Sequence, residues 1–191
     1  MNVRVLAFAG SARRESLNKR LVAVAAAVAR DAGAEVTLLD LDDYEMPVYH
    51  GDHETQAGLP PAAQRLREVL LAHDALLIAS PENNASVSAL LKNAIDWVSR
   101  PHGGQNGLVP YQGKVAALLA ASPGALGGLR GVQHLRAILQ ALGVLVITEQ
   151  FALGRAHEAF DAQGALADAR QRASVEGVVR RLVDVTARLR A

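Results

Sequence analysis

The stretch VRVLAFAGSARRESLN, residues 3–18, decides the fold. It begins with the apolar run Val3–Ala9, whose short length and lack of polar alternation predict a strand buried on both faces of a parallel sheet. The polar turn Gly10–Asn18 follows directly, and a helical stripe begins just beyond it. A buried strand that leads through a polar turn into a helix is typical of a layered α/β protein.

Four more apolar runs follow, with helix-length segments between them. We predict them as strands at Glu35–Leu39, Ala75–Ala79, Lys114–Ala121 and Leu142–Ile147. Apolar residues recur three and four apart in the intervening segments, which predicts helices over 21–28, 87–98, 129–142 and 175–189 and a weaker one over 61–72. Gly33 stands where the first helix should end. Five strands alternating with five helices through right-handed crossovers predict a three-layer α/β sandwich.

Composition limits the possible functions. A chain of 191 residues is expected to form a single domain, 1–191, and the absence of cysteine excludes disulfides and Cys-ligated metal sites. Twenty Lys and Arg nearly cancel nineteen Asp and Glu, so we expect neither nucleic acid nor a membrane surface as a partner. The first apolar run is too short for a signal-peptide core, which favours a cytoplasmic protein with a small-molecule partner.

Two longer segments show no clear periodicity. We interpret Asp42–Pro60 as a loop or a subunit contact, and Arg100–Gly113 as an irregular connection. The six histidines are scattered without the spacing of metal ligands, and no hydrolase motif is present, so we expect no metal. His102 in the second segment is interpreted as an exposed loop residue.

The turn after the first strand predicts a phosphate site. It offers hydroxyls, a side-chain amide, guanidinium groups and the N–H groups of a helix N-terminus, all of which bind anions. Neither a P-loop nor a G-x-G-x-x-G turn is present. The alternative is that Ser16 or Asn18 only caps the helix and that Arg13 and Arg14 are solvated.

Two further loops should lie beside this turn. Residues 79–86, after the third strand, combine a proline with side-chain and backbone amides that suit a flat heterocycle, although an Asx turn before a capped helix would look the same. Residues 121–128, after the fourth strand, carry three glycines that let the backbone approach a planar ligand, or that simply close a flexible loop. All three loops follow strands of one parallel sheet, so they meet at one edge.

Four motifs together resemble one family. They are Gly10-Ser11-x-Arg13-x-x-Ser16-x-Asn18, Ser80-Pro81-Glu82-x-Asn84, the run Leu91–Trp97, and Ser122-Pro123-Gly124-Ala125-x-Gly127-Gly128. In this order they resemble the NADPH-dependent FMN reductase family, which includes chromate, quinone and azo-dye reductases, over about Val3–Gln150. The resemblance implies a flavodoxin-like fold with strand order 2-1-3-4-5, bound FMN, NAD(P)H as co-substrate, and a homodimer or homotetramer whose subunits together wall the flavin.

By matching positions, the resemblance also implies cofactor-binding residues. The FMN phosphate would be held by Ser11, Arg13, Ser16 and Asn18. The isoalloxazine and ribityl would be lined by Pro81, Glu82, Asn83 and Asn84, with Ser122, Pro123, Gly124 and Gly127 on the other side. Arg14 has no matching role.

The chain departs from the family pattern at two places near the flavin edge. Asn83 stands where the family usually has a tyrosine, and Ser88-Ala89 replaces the usual Pro-Gly. The second change predicts a shorter or tighter loop and a helix that extends towards Ser86. Both changes bear on substrate access more than on phosphate binding.

The resemblance implies an FMN-dependent oxidoreductase that transfers hydride from NAD(P)H to flavin and on to a quinone, azo, metal-ion or free-flavin acceptor. It needs no side chain as general acid or base, so no catalytic side chain is assigned. One alternative is an FMN-binding electron carrier or storage protein, which the loss of the tyrosine leaves open. Another is an interaction module that has lost flavin, against which the intact phosphate set argues.

Overall fold

A computed structural model describes residues 2–190 of the protein, and these form a five-stranded sheet with helices on both faces. The strands are β1 (Arg4–Ala9), β2 (Glu35–Leu39), β3 (Ala75–Ala79), β4 (Val115–Ala121) and β5 (Leu145–Leu153). The helices are α1 (Leu17–Asp31), α2 (Gly51–Ala57), α3 (Pro61–Leu71), α4 (Ala89–Val98), α5 (Leu129–Ala141) and α6 (Ala169–Leu189). The strands are parallel and lie in the order β2-β1-β3-β4-β5, which confirms the predicted fold class.

Side chains of the central strands alternate between two apolar layers. In β1, Val5 and Ala7 pack on the side covered by α1 and α6, whereas Leu6 and Phe8 pack on the side covered by α3, α4 and α5. Because a strand buried on both faces has no polar side to show, the sequence of β1 reads as a continuous apolar run. This burial is why β1, β3 and β4 were predicted to within one residue.

The loops after β1, β3 and β4 leave the same edge of the sheet. Backbone hydrogen bonds continue the strand pairing one residue beyond each strand: Gly10 donates to Ala79 at 2.9 Å, Ser80 to Leu119 at 2.8 Å and Ser122 to Leu153 at 3.0 Å. The three polar loops predicted to converge therefore begin side by side.

The predicted fifth strand, Leu142–Ile147, is wrong at both ends. Leu142 caps the C-terminus of α5, and Gly143, with φ +85°, redirects the chain before β5 begins at Leu145. The last turn of a buried helix and the start of a strand are both apolar, so periodicity could not divide them. The strand then runs on to Leu153 through more exposed residues, because β5 lies at an edge of the sheet, and its register against β4 shifts between Ala116 and Leu118.

The segment Asp42–Pro60 contains structure that the sequence did not predict. A 3₁₀ turn covers Leu41–Asp43 and helix α2 covers Gly51–Ala57, so the prediction of a loop here and of only five helices is wrong. The alternative of a subunit contact stays a prediction. No residue of α2 is buried, and a helix without an apolar stripe leaves no periodic signal. Arg100–Gly113 forms turns, as predicted.

Within residues 2–190, every helix is too short or too polar to cross a membrane.

Candidate active site

A cleft of about 420 Å³ opens at the carboxyl ends of β1, β3 and β4. Ligands of doubly wound sheets bind in this position, where the strand order reverses. Nine of the twelve predicted cofactor-binding residues line the cleft: Ser11, Arg13, Ser16, Asn18, Pro81, Glu82, Asn83, Ser122 and Pro123. The fold therefore brings together residues from three loops that are far apart in sequence.

One end of the cleft is the N-terminus of α1. Ser16 is its N-cap, and the Ser16 hydroxyl accepts a hydrogen bond from the Lys19 N–H at 3.4 Å, which leaves its own O–H available as a donor. The N–H groups of the first helical residues have no acceptor within the helix, and they give this end a partial positive charge. Ser11 lies beside them and accepts from the Arg13 N–H at 3.3 Å, while the Arg13 side chain is exposed. This end of the cleft is suited to an anion.

Asn18 lies at the same end, but its side chain mainly serves the fold. Its amide nitrogen donates to the Ala121 carbonyl and its amide oxygen accepts from the Ala121 N–H, both at 2.9 Å. The residue is buried, so these two bonds tie α1 to the end of β4. One N–H of the amide remains for a ligand.

A very short hairpin forms the wall opposite α1. Asn83 and Ser86 exchange backbone hydrogen bonds of 2.9 and 3.0 Å, and the two residues between them, Asn84 and Ala85, have φ of 50° and 63°. Two successive residues with positive φ are the signature of a type I′ turn, which the sequence Asn-Gly favours. Here alanine occupies the second position and adopts a left-handed conformation that costs about 1–2 kcal/mol.

Glu82 caps helix α5 from this wall. Its carboxylate accepts hydrogen bonds from the N–H groups of Arg130 at 3.0 Å and Gly131 at 3.2 Å, and from Nε of Arg130 at 2.8 Å. The N-cap residue of α5 is Gly128, which has no side chain to offer. Burial by itself raises the pKa of Glu82, but the hydrogen bonds and the charge of Arg130 outweigh it and hold the pKa below its ordinary value.

A second contact joins the hairpin to α5. The Ser86 hydroxyl lies 2.9 Å from Nδ1 of His134. Gly131 lets the two elements approach, because a Cβ there would lie 3.1 Å from the Ser86 carbonyl oxygen. The wall of the cleft is therefore held by α5 at both ends of the hairpin.

Three predicted residues lie outside the cleft. Asn84 is exposed at the tip of the hairpin, and Gly124 donates its N–H to the Ser122 hydroxyl at 3.2 Å. Gly127 has φ +64°, and a Cβ there would lie 2.6 Å from the carbonyl carbon of Ala152. This position requires a glycine because the end of β5 packs closely against it.

The sequence argument missed several lining residues, of which Ser88 is the most informative. Ser88 caps α4, which begins at Ala89, so the prediction that this helix extends towards Ser86 is wrong. The Ser88 hydroxyl accepts from the Leu91 N–H at 3.2 Å and donates to the Gly10 carbonyl at 2.6 Å. A serine directly before a helical stripe is a capping signal that could have shown this boundary. The other missed lining residues are Gly10, Ala12, Leu17, Ala89, Leu90 and Ala121.

Among residues 2–190, no group of three or more His, Cys, Asp and Glu side chains is placed to hold a metal ion. His102 is exposed in a tight turn with Gln105 and does not line the cleft.

Residues 3–158 match the family model described as NADPH-dependent FMN reductase. The chain belongs to this family. Among curated relatives, an NAD(P)H-dependent FMN reductase from Pseudomonas aeruginosa is 39% identical over 92% of this chain and 90% of its own length. An NADPH:quinone oxidoreductase from Arabidopsis thaliana is 33% identical over 98% of this chain and 93% of its own length.

Solved structures agree with this assignment. The flavoenzyme FerB, an NAD(P)H:(acceptor) oxidoreductase from Paracoccus denitrificans, aligns over 97% of this chain and 98% of its own with a TM-score of 0.80 and 28% identity. An archaeal flavodoxin aligns over 97% of this chain and 99% of its own with a TM-score of 0.60 but only 8% identity, which supports the flavodoxin-like fold alone. For this FMN reductase family member, the predicted family, the oxidoreductase class and the cofactors FMN and NAD(P)H are confirmed.

Proposed function

We propose that the protein holds FMN in the 420 Å³ cleft and uses it to reduce a quinone or a related small acceptor at the expense of NAD(P)H. The observation that carries the proposal is the convergence of three polar loops on one cleft with an anion-binding end. The cleft volume lies within the range of about 300–1,000 Å³ that is typical of cofactor and small-molecule sites.

The residues at the α1 end fit a phosphate monoester. The exposed guanidinium of Arg13, the hydroxyls of Ser11 and Ser16 and the first N–H groups of α1 are donors, and the helix N-terminus favours negative charge. In this proposal Asn18 contributes its remaining amide N–H while it keeps α1 attached to Ala121. Phosphate binding at this end would orient the rest of the cofactor along the cleft.

The residues at the other end fit a flat ring. Pro81 and Asn83 lie on one side, and Ser122 and Pro123 lie on the other. Bound FMN supplies the capacity to take a hydride from nicotinamide and to return the electron pair to an acceptor. The protein positions the ring and the substrate, and Glu82 supports the wall through α5 in place of a direct contact by its carboxylate. Asn84, Gly124 and Gly127 support the loops around the ring.

A quinone acceptor is supported by the names of the relatives. A quinone reductase from Pseudomonas putida is 37% identical over 83% of this chain and 82% of its own length. Reduction of a quinone to a hydroquinone consumes two electrons and two protons, which NAD(P)H and one solvent proton supply. Because the cleft is small, we propose that NAD(P)H and the quinone occupy it in turn.

We also propose that residues 1–191 form one FMN-binding domain, and that a cytoplasmic homodimer or homotetramer is the working form. The family resemblance supports the oligomer. Light scattering during size-exclusion chromatography of the FMN-loaded protein would measure its mass, and a monomer would contradict this part of the proposal.

The phosphate assignment is tested by the double variant Arg13→Ala with Ser16→Ala. Losing two donors to a charged group, at about 1.5–3 kcal/mol each, should weaken FMN binding at least a hundredfold. The matched control is Arg170→Ala with Ser174→Ala, which removes the same side chains from exposed positions on α6. FMN fluorescence quenching measures both, and equal affinity in the two double variants would refute the assignment.

A second measurement distinguishes an oxidoreductase from an electron carrier or FMN-storage protein. The purified, FMN-loaded protein should oxidise about one NADPH per FMN in the absence of oxygen and of any other acceptor, and should turn over continuously only when a quinone or another acceptor is added. A protein that binds FMN but fails to oxidise NADPH with any acceptor class would instead be the electron carrier or storage protein.

A further inference from the structure

The side chain of Asn83 is a polar group in the cleft wall that the fold leaves unused. Its backbone N–H and carbonyl are both taken by Ser86, but its carboxamide is exposed and, among the residues that the structure describes, has no hydrogen-bond partner. Elsewhere around the cleft, the Asn18 amide binds Ala121 and the Glu82 carboxylate binds α5. Asn83 therefore stands in the wall with a donor and an acceptor free for a ligand.

The backbone around Asn83 is held in place. Its paired partner Ser86 contacts His134, and its chain neighbour Glu82 is bound to the first turn of α5. The backbone that carries the Asn83 carboxamide therefore does not have to reorganise when a ligand binds.

The chemistry of a carboxamide decides which ligand group suits it. Oxygen and nitrogen lie side by side, so a matching partner offers one donor and one acceptor side by side, as a second primary carboxamide does and as the N3–H and C4=O edge of a flavin also does. NAD(P)H carries a primary carboxamide on the nicotinamide ring that donates the hydride. A quinone without substituents offers only hydrogen-bond acceptors, so it would bind Nδ2 of Asn83 and leave Oδ1 without a partner.

We propose that the carboxamide of Asn83 binds the nicotinamide carboxamide of NAD(P)H and so selects the hydride donor. In this arrangement Oδ1 of Asn83 accepts from the ligand NH₂ group, and Nδ2 donates to the ligand carbonyl. The inference rests on the proposed function, because it requires the nicotinamide to enter this cleft.

The test compares NADPH with its 3-acetylpyridine analogue, in which a methyl group replaces the NH₂ group. The quantity measured is kcat/KM for NADPH divided by kcat/KM for the analogue, with the same quinone as acceptor in both assays. In the wild type the analogue leaves Oδ1 of Asn83 unpaired, whereas in Asn83→Leu neither ligand is bound by the residue. The ratio should therefore fall about tenfold in Asn83→Leu, and it should be retained in Asn83→Asp, which keeps the acceptor.

The control variant is Gln133→Leu, which removes an exposed carboxamide on α5 outside the cleft and should leave the ratio unchanged. The KM for the quinone should stay the same in all variants. An unchanged donor ratio in Asn83→Leu would overturn the inference, as would a rise in the quinone KM with an unchanged KM for NADPH. If the wild type itself fails to couple NADPH oxidation to a quinone, the proposed function fails instead, which is a separate result.

Discussion

The carboxylate of Glu82 should stabilise the protein by capping a helix that begins 47 residues later in the chain, at Leu129. A cap contributes about 1 kcal/mol, and a hydrogen bond to a charged group contributes about 1.5–3 kcal/mol. The Arg130 side chain is exposed, so solvent screens the ion pair and most of the effect lies in the bonds to the backbone. We expect Glu82→Gln, which keeps one carbonyl acceptor, to lower the free energy of unfolding by about 2 kcal/mol.

Thermal unfolding followed by circular dichroism measures this loss. For a domain of this size the Tm should fall by about 4–8 °C. The control is Glu176→Gln, which breaks an exposed ion pair to Arg180 within α6 and should cost about 0.5 kcal/mol or less. If Glu82→Gln melted no lower than Glu176→Gln, the carboxylate of Glu82 would not be the cap of α5.

The loss of stability in Glu82→Gln should depend on pH, and the direction of that dependence follows from the pKa of Glu82. The pKa of Glu82 lies below its ordinary value in the folded protein, because its hydrogen bonds to Arg130 and Gly131 outweigh the effect of burial. A lowered pKa contributes stability that is complete at neutral pH and is lost as the pH falls through the folded value. The gap in Tm between wild type and Glu82→Gln should therefore be constant above about pH 5 and shrink below about pH 4.3, the ordinary pKa of glutamate. A gap that widened on acidification would refute the assignment.

Three further variants test the contacts around the cleft, each measured by urea unfolding. Ala85→Gly should raise the free energy of unfolding by about 0.5–1 kcal/mol, because glycine adopts φ +63° without strain; a loss would show that the hairpin is not strained. Asn18→Ala should lower it by about 2–3 kcal/mol, because the buried N–H and carbonyl of Ala121 lose their partners; a change below about 1 kcal/mol would contradict this. Gly127→Ala should lower it by about 1–3 kcal/mol, because its Cβ would lie 2.6 Å from the Ala152 carbonyl carbon at positive φ, and wild-type stability would show that the loop relaxes freely.

Burial explains most of the accuracy of the sequence-based predictions. Strand β3 was predicted with its observed ends, because Ala75–Ala79 is apolar and buried throughout and is bounded by polar residues. Strand β2 was also predicted with its observed ends, although only Leu39 of its five residues is buried. The edge strand β5 was misplaced, because exposed residues such as Glu149 interrupt its apolar pattern. Helix α2 was missed because nothing in it is buried. A hydrophobic pattern marks an element most clearly where a face of that element is covered.

The candidate site was predictable for a similar reason. Polar residues directly after buried strands must meet at one edge of a parallel sheet, so Ser11, Pro81 and Ser122 could be placed together without coordinates. Ser88 was missed because the helix was predicted to begin before it. The left-handed pair at Asn84 and Ala85 was also missed, because alanine carries no signal for that conformation.

By itself, the sequence determined the layered sheet, its order through the family resemblance, and the edge at which the candidate site lies. These follow from local patterns, in which each strand and its next loop are continuous in the chain. Only the tertiary structure decided how the polar side chains are used: Asn18 binds Ala121, 103 residues away, and Glu82 binds Arg130, 48 residues away. Hydrogen-bond partners at such separations are chosen by packing, because a buried polar group must bind whichever donor or acceptor the fold brings to it. That choice leaves the carboxamide of Asn83 available to a ligand.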